Sequence, residues 1–391
     1  MKNSFYNIKK SKKLFYSKIS KIFLFLFFLV RISIKYEVLN IYKIKRQIKL
    51  INQYYNLNNK GILINKKHFK RAVNPKVSII SAVYNNGKFI LRFLRSIQNQ
   101  FFTDIEIIFI DDYSRDNSSL IIEKNKKDDE RIILLRNKKN KGTLISRNIG
   151  ALKAKGEFLI FPDPDDMLSE DILSICYKIS KRYNYDLIRF NMYSNRFFIF
   201  SFFDRNLKRI IYQPELRTYL IYGYGFKKLI DGIISNKFVR RTSFLIALNS
   251  INDYYLNKKM IYFEDGLINY ALHLNAKSLY LLDHIGYYYI FNKKSVSHYV
   301  NTDLYFKCFF IFLKFLKEKT KNNEYEKEIN FFFVREYIPK NFLIEKISKY
   351  SKIYEEVINS LLNIKFIIII NKKKLKSLQN IILKIKHRII N

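Results

Sequence analysis

Short apolar runs alternate with amphipathic stretches through the middle of this chain. Val77-Ser78-Ile79-Ile80 reads as a buried strand that runs into Val83-Tyr84-Asn85-Asn86-Gly87. A helix follows, with Phe89, Leu91, Phe93, Leu94 and Ile97 as its apolar positions. Ile105 to Ile110 predicts a second strand ending in Asp111-Asp112, and residues 117–127 an amphipathic helix. A third strand is expected over 131–135, a helix after Gly142, and a short strand at Phe158-Leu159-Ile160-Phe161 closed by Pro162. Strand–helix alternation of this kind builds a parallel sheet that binds ligands at its carboxyl edge. Beyond it, a helix over 170–182 and a strand in YDLIRFNMY extend the pattern. Residues 195–225, rich in Phe, Tyr and Arg, match no motif and either cover a ligand site or fill a core.

The two ends read differently. Ile22 to Val30 is an unbroken apolar run, interrupted by Arg31 and extended by Ile32 and Ile34. As a helix it would span roughly 14–20 Å, short of the ~30 Å hydrocarbon core of a bilayer. No small-residue cleavage site follows it, so a signal peptide is not expected. An interfacial anchoring helix and a helix packed on the domain both remain open. Residues 301–391 alternate Lys/Glu-rich and aliphatic patches, as amphipathic helices do. The expected organisation is a basic extension over 1–73 with a short apolar helix at 22–34, a domain over 74–300, and a basic helical extension over 301–391.

Three carboxylates close the 158–161 strand: Asp163, Asp165 and Asp166, in the stretch PDPDD. Closely spaced carboxylate oxygens suit Mg²⁺ or Mn²⁺, which can share its remaining positions with phosphate oxygens. Read alone, the same residues make a turn that caps the following helix. Glu264-Asp265 opens another apolar-faced helix, and in isolation is an acidic first turn. No dinucleotide or P-loop glycine signature is present.

With 72 Lys and Arg against 33 Asp and Glu, the net charge is +39. Such a charge ordinarily points to nucleic acid or an anionic membrane. Here the lysines are spread along the whole chain alongside a general excess of Asn, Ile, Phe and Tyr, so no specific nucleic acid is expected. Cys176 and Cys308 match no metal or disulfide spacing and are expected to pack as small hydrophobes.

Taken in order, strand-YNN, IEIIFIDDYSRDNS and NKGTLISRNIGALKAKGEFLIFPDPDDML resemble the family 2 glycosyltransferases from about Pro75 to Leu168, and more weakly to about Ser297. The resemblance implies an α/β fold of the GT-A type, a mixed and mainly parallel sheet flanked by helices. It implies Tyr84 and Asp112 at the base of a donor nucleotide, and Asp163 and Asp165 as the D-x-D pair, with Asp165 on the metal and Asp163 nearer the ribose or a metal-bound water. Asp166 could assist either. Asp265 would be the general base with Glu264 as support or substitute, in a single displacement with inversion. Arg147 lies on the helix whose first turn would face a phosphate. Lys237, Arg240 and Arg241 are read as solvated charge in preference to a phosphate site, and His298 as a surface residue. Two departures stand out: Ala82 replaces a usual proline, and Tyr113 a common glycine, at a position not expected to need positive φ.

The expected activity is therefore transfer of a hexosyl or N-acetylhexosaminyl group from a nucleoside-diphosphate sugar, UDP-linked in the best-understood relatives, to a hydroxyl of a glycan, glycolipid or other acceptor, with Mn²⁺ or Mg²⁺. A catalytically inactive version that binds a membrane or polyanion is the alternative. A nucleotidyltransferase lacks a basic glycine-rich loop after the first strand. The sequon Asn117-Ser118-Ser119 lies beside the donor loop, where a glycan would crowd the site, so the domain is expected on the cytosolic side of a membrane surface.

Overall fold

The structure is a computed structural model and describes residues 68–194, 210–213, 233–292 and 302–320. The chain divides into two units, Met1–Lys66 and Lys67–Asn391, and every described residue belongs to the second. The apolar run at 22–34, the 195–209 and 214–225 stretches, His298 and residues beyond 320 lie outside the described residues.

Among the described residues, a nine-stranded sheet organises the domain. In chain order the strands are β1 (Val77–Val83), β2 (Ile105–Asp111), β3 (Ile132–Arg136), β4 (Phe158–Ile160), β5 (Met167–Leu168), β6 (Leu187–Ser194), β7 (Ile210–Tyr212), β8 (Lys237–Arg240) and β9 (Ser278–Tyr289). The helices are α1 (Gly87–Gln98), α2 (Ser118–Lys126), α3 (Thr143–Lys153), α4 (Ile172–Tyr183), α5 (Arg241–Asn249), α6 (Asp253–Leu256), α7 (Glu264–Asn275) and α8 (Thr302–Thr320). The sheet order is β3-β2-β1-β4-β8-β6-β9-β5, with β7 pairing β9. The first four strands are mutually parallel, whereas β8 enters antiparallel between β4 and β6. Strand β6 then runs parallel to β9. The GT-A type mixed sheet flanked by helices is what forms.

Period-two alternation divides the apolar residues between the two faces. Ile107 and Phe109 of β2 face a core shared with Phe93 and Leu94 of α1 and Leu173 of α4. Ile108 and Ile110 face the other core, with Leu144 of α3, Phe244 of α5 and Leu267 of α7. Each such side chain, fully buried, contributes about 1.5–3 kcal/mol of transfer free energy. Leu91 was expected on the buried side of α1 but is 43% exposed; Ile90 takes the inward position instead. Cys176 and Cys308 are free thiols packed in the two cores, as expected.

Helix α8 buries Cys308, Phe312, Phe315 and Leu316 in the same core as α7. Residues 302–320, the start of the expected C-terminal extension, therefore pack on the core of the domain. At the other end, the Phe69 carbonyl accepts from the Glu130 N–H at 2.9 Å, and Arg131 lies 3.8 Å over the Phe69 ring. Some sequence before the expected boundary at 74 is thus also part of the fold.

One glycine sets the entry to β4. A Cβ on Gly156 would lie 2.6 Å from the Ser78 backbone nitrogen, because the chain crosses β1 at contact distance. Buried Glu106 fastens that crossing, accepting from Ser78 Oγ at 2.6 Å and from the N–H groups of Lys155 and Gly156.

Candidate active site

The loops after β1 and β2 are joined by local polar contacts. The Asn85 N–H donates to Ser114 Oγ at 3.0 Å, and Asn85 Oδ1 accepts from the Arg115 N–H at 2.9 Å. Asn86 and Gly87 donate to Ser118 Oγ and Asp116 Oδ2. Tyr84 and Tyr113 stand 47% and 51% exposed at this edge. Tyr113 has φ of +69°, so the position does need the left-handed region, contrary to the sequence reading. A bulky residue there costs on the order of 1 kcal/mol, which the glycine common at this position would not.

Asp112 is 3% exposed. Its Oδ1 accepts from Asn137 Nδ2 and the Lys141 N–H, both at 2.8 Å, and its Oδ2 from the Gly142 N–H at 2.7 Å. The carboxylate thus ties the loop ahead of α3 to the end of β2, a role no sequence signal announced. A carboxylate offers about four acceptor positions, so one is left unfilled by these three donors.

Arg147, on α3, is buried and reaches across the sheet edge. Nη2 donates to Asp163 Oδ1 at 2.6 Å, and Nη1 donates to Asp265 Oδ1. One guanidinium so joins the acid after β4 to the acid opening α7. Burial works against its charge, but Asp265, Asp163 and Glu264 outweigh that and raise its pKa. Asp265 Oδ2 faces the Ile234 N–H at 3.4 Å.

The PDPDD acids have separate fates. Asp163 and Asp165 are half-buried, and Asp165 Oδ2 accepts a 3.3 Å contact from Asn292 Nδ2. Asp166 is 1% exposed and turns inward, its Oδ2 accepting from Tyr287 Oη at 2.6 Å and its Oδ1 from the Ile290 N–H at 2.8 Å. Asp166 is therefore a structural anchor in place of the assisting role expected from sequence. Burial, then Asp165 and Asp163, push its pKa well up.

Negative charge is in excess here. Burial raises Asp163 to about 6, with Arg147 opposing and Asp165 and Asp265 adding. Burial also raises Asp165. Glu264 is pushed up to about 8 by burial and then by Asp265. Among the described residues no three acid, histidine or cysteine side chains converge as a cation cage. The donor set fits a hard cation held by one or two carboxylates and completed by diphosphate oxygens, and the surplus charge would be relieved by it.

Glu264 supplies a pH prediction. Its ordinary value is 4.5, so between about pH 4.5 and 8 the folded chain keeps a proton that the unfolded chain has released. Its contribution to stability is complete below pH 4.5 and is lost as pH rises through 8. Melting curves from pH 5 to 9 should show Glu264→Gln gaining on the parent as pH rises; a gap independent of pH would contradict this.

Helix α7 is held at its start by aromatic packing the sequence did not reveal. Phe263 has φ of +65° and its ring stacks 5.7 Å from Phe312 of α8. A Cβ on Gly266 would come 3.0 Å from the Phe312 ring. Such backbone strain persists only when packing over-determines it. Lys237, read from sequence as solvated, is fully buried and donates from Nζ to the Ile233 carbonyl. Arg240 pairs with Glu157 at 3.2 Å and Asp186 at 3.4 Å.

Comparison with known proteins decides the family. The family described as Glycosyl transferase family 2 matches residues 78–245, which contain Asp112, Arg147 and the PDPDD turn and end before Glu264-Asp265. Residues 78–245 belong to that family. It is 24% identical over 280 residues to the poly(ribitol-phosphate) beta-N-acetylglucosaminyltransferase TarS of Staphylococcus aureus, covering 71% of this chain and 46% of that protein. The chain thus spans about half the length of that relative. It is 28% identical over 263 residues to the putative glycosyltransferase EpsH of Bacillus subtilis, covering 66% and 74% of the two chains. A crystal structure of S. aureus TarS 1–349 with UDP-GlcNAc superposes with a TM-score of 0.56 at 20% identity, over 73% of this chain and 81% of that one. That likeness is one of fold. None of the described helices is long and apolar enough to cross a membrane.

Proposed function

We propose that this chain transfers a sugar from a UDP-linked donor to a hydroxyl of a glycan, glycolipid or related acceptor, with inversion and with Mn²⁺ or Mg²⁺. The observation that carries the reading is the Arg147 guanidinium bonded to both Asp163 and Asp265. It brings the donor-side acid and the acceptor-side acid into one site, as a displacement between the two substrates requires.

Tyr84 offers an exposed ring to the base, and Asp112 its remaining acceptor position to the base N–H. Asp163 and Asp165 would hold the cation, which when bound neutralises charge on the departing diphosphate. Arg147 adds a fixed positive charge between the diphosphate and the acceptor. Asp265 takes the proton of the acceptor hydroxyl as its oxygen bonds to the anomeric carbon and the bond to the nucleoside diphosphate breaks. Glu264, protonated at neutral pH by the shift above, serves as a hydrogen-bond donor in place of a second base. The choice of UDP is supported by the UDP-GlcNAc complex of the fold relative.

A panel of UDP, GDP, dTDP and CMP, each with Mn²⁺ or with EDTA, tests this by thermal shift. UDP with Mn²⁺ should stabilise the chain by about 2.7 kcal/mol at a hundredfold excess over its Kd, and more than UDP in EDTA. No shift with any nucleotide would overturn the reading.

A further inference from the structure

The backbone of Asp163 and the carboxylate of Asp166, either end of the DPDD stretch, meet at one buried hydroxyl. Tyr287 Oη accepts from the Asp163 N–H at 3.1 Å and donates to Asp166 Oδ2 at 2.6 Å. Asp165 lies between them in sequence. Tyr287 is fully buried, and its strand is fixed independently of the turn: Leu168 and Met167 of β5 pair with Tyr287 and Tyr288 of β9. The Ser169 N–H donates to the Gly286 carbonyl at 3.0 Å. A Cβ on Gly286 would lie 2.5 Å from Ile172, so β9 sits against α4 with no room to shift. At the other end, Ser81 Oγ donates to the Pro162 carbonyl at 3.0 Å, fixing the turn to β1.

We propose that Tyr287 is a positioning residue for the D-x-D pair, its hydroxyl setting the turn so that Asp163 and Asp165 present their oxygens together to a divalent cation. The proposal rests on the metal-dependent reading above. Without the hydroxyl the Asp163 amide loses its acceptor and Asp166 keeps only the Ile290 N–H. The turn then keeps its internal bond from the Asp166 N–H to the Asp163 carbonyl and the donation from Arg92 to the Asp165 carbonyl, but loses the hydroxyl that ties the Asp163 amide to β9. Groups that orient metal ligands in this way commonly change affinity about 10–100-fold when removed. A hydroxyl that served packing alone would change stability and leave the ion untouched.

The test uses the full chain and Tyr287→Phe, with Mn²⁺ titrated calorimetrically into protein saturated with UDP, and UDP titrated in EDTA. The expected result is Mn²⁺ binding weakened ~10-fold or more, with metal-free UDP binding within about twofold of the parent. Mn²⁺ binding within about twofold in a folded Tyr287→Phe chain would overturn the assignment. Should that variant not fold, Asp166→Ala removes the anchor of the hydroxyl. Asp166 has both oxygens turned inward and so is not placed to ligate, and the same weakening is expected, its absence being equally decisive against. Failure of the parent chain to bind Mn²⁺ with UDP would overturn the metal reading and this proposal together. Normal parent binding with unaltered variants would overturn the proposal alone.

Discussion

Asp165→Ala is expected to cut release of nucleoside diphosphate from a UDP-sugar with Mn²⁺ by at least ~100-fold while leaving the melting temperature unchanged or higher. The first half follows from the role proposed for this carboxylate: cation stabilisation of a departing diphosphate is worth several kcal/mol, and each ~1.4 kcal/mol is tenfold in rate. The second half follows from its surroundings. Burial holds Asp165 above its ordinary pKa, and the contact resolved at its oxygens is a long one from Asn292. A carboxylate in that condition weakens the donor-free fold, so removing it relieves strain of charge, the usual trade between stability and function. Parallel melting curves and diphosphate-release assays check both halves. Release equal to the parent's would remove Asp165 from the metal site.

Asp265→Asn should lower kcat for transfer about 10²–10⁴-fold with the donor KM changed only a few-fold. The amide keeps the size of the carboxylate and loses its basicity. Arg147 retains Asp163 at 2.6 Å, so the donor side of the site keeps its cation. A modest fall in melting temperature is also expected, because the guanidinium is only 7% exposed and gives up one of its two acids. The split between kcat and KM is the informative measurement. A loss confined to donor KM would make Asp265 a donor-binding group, and Glu264 would be the next residue to examine as base.

Much of the fold was legible in order along the chain. Apolar runs at 77–80, 105–110 and 158–161 marked β1, β2 and β4, since a strand buried on both faces needs an unbroken apolar run. Strands β5, β7 and β9 were not read. The first two are too short to carry a period, and β9 mixes Asp283, His284 and Gly286 into its length. The same limit applies to chemistry. Asp163, Asp165, Glu264 and Asp265 were visible as acids at element ends, but no local pattern marks Tyr287, Asn292 or Phe263 as their supports. Tyr113 and Lys237 were misjudged because backbone dihedrals and burial are set by neighbours distant in the chain.

The sequence alone determined the alternation of strand and helix, the family, and the residue types able to bind a cation and accept a proton, because these depend on composition and spacing within short stretches. Only the tertiary structure decided which acids share a guanidinium, which one turns inward to Tyr287, and that residues 302–320 pack beneath the helix bearing Asp265. Those outcomes depend on side chains from separated strands meeting within hydrogen-bond or van der Waals distance, and that proximity exists only once the sheet has assembled.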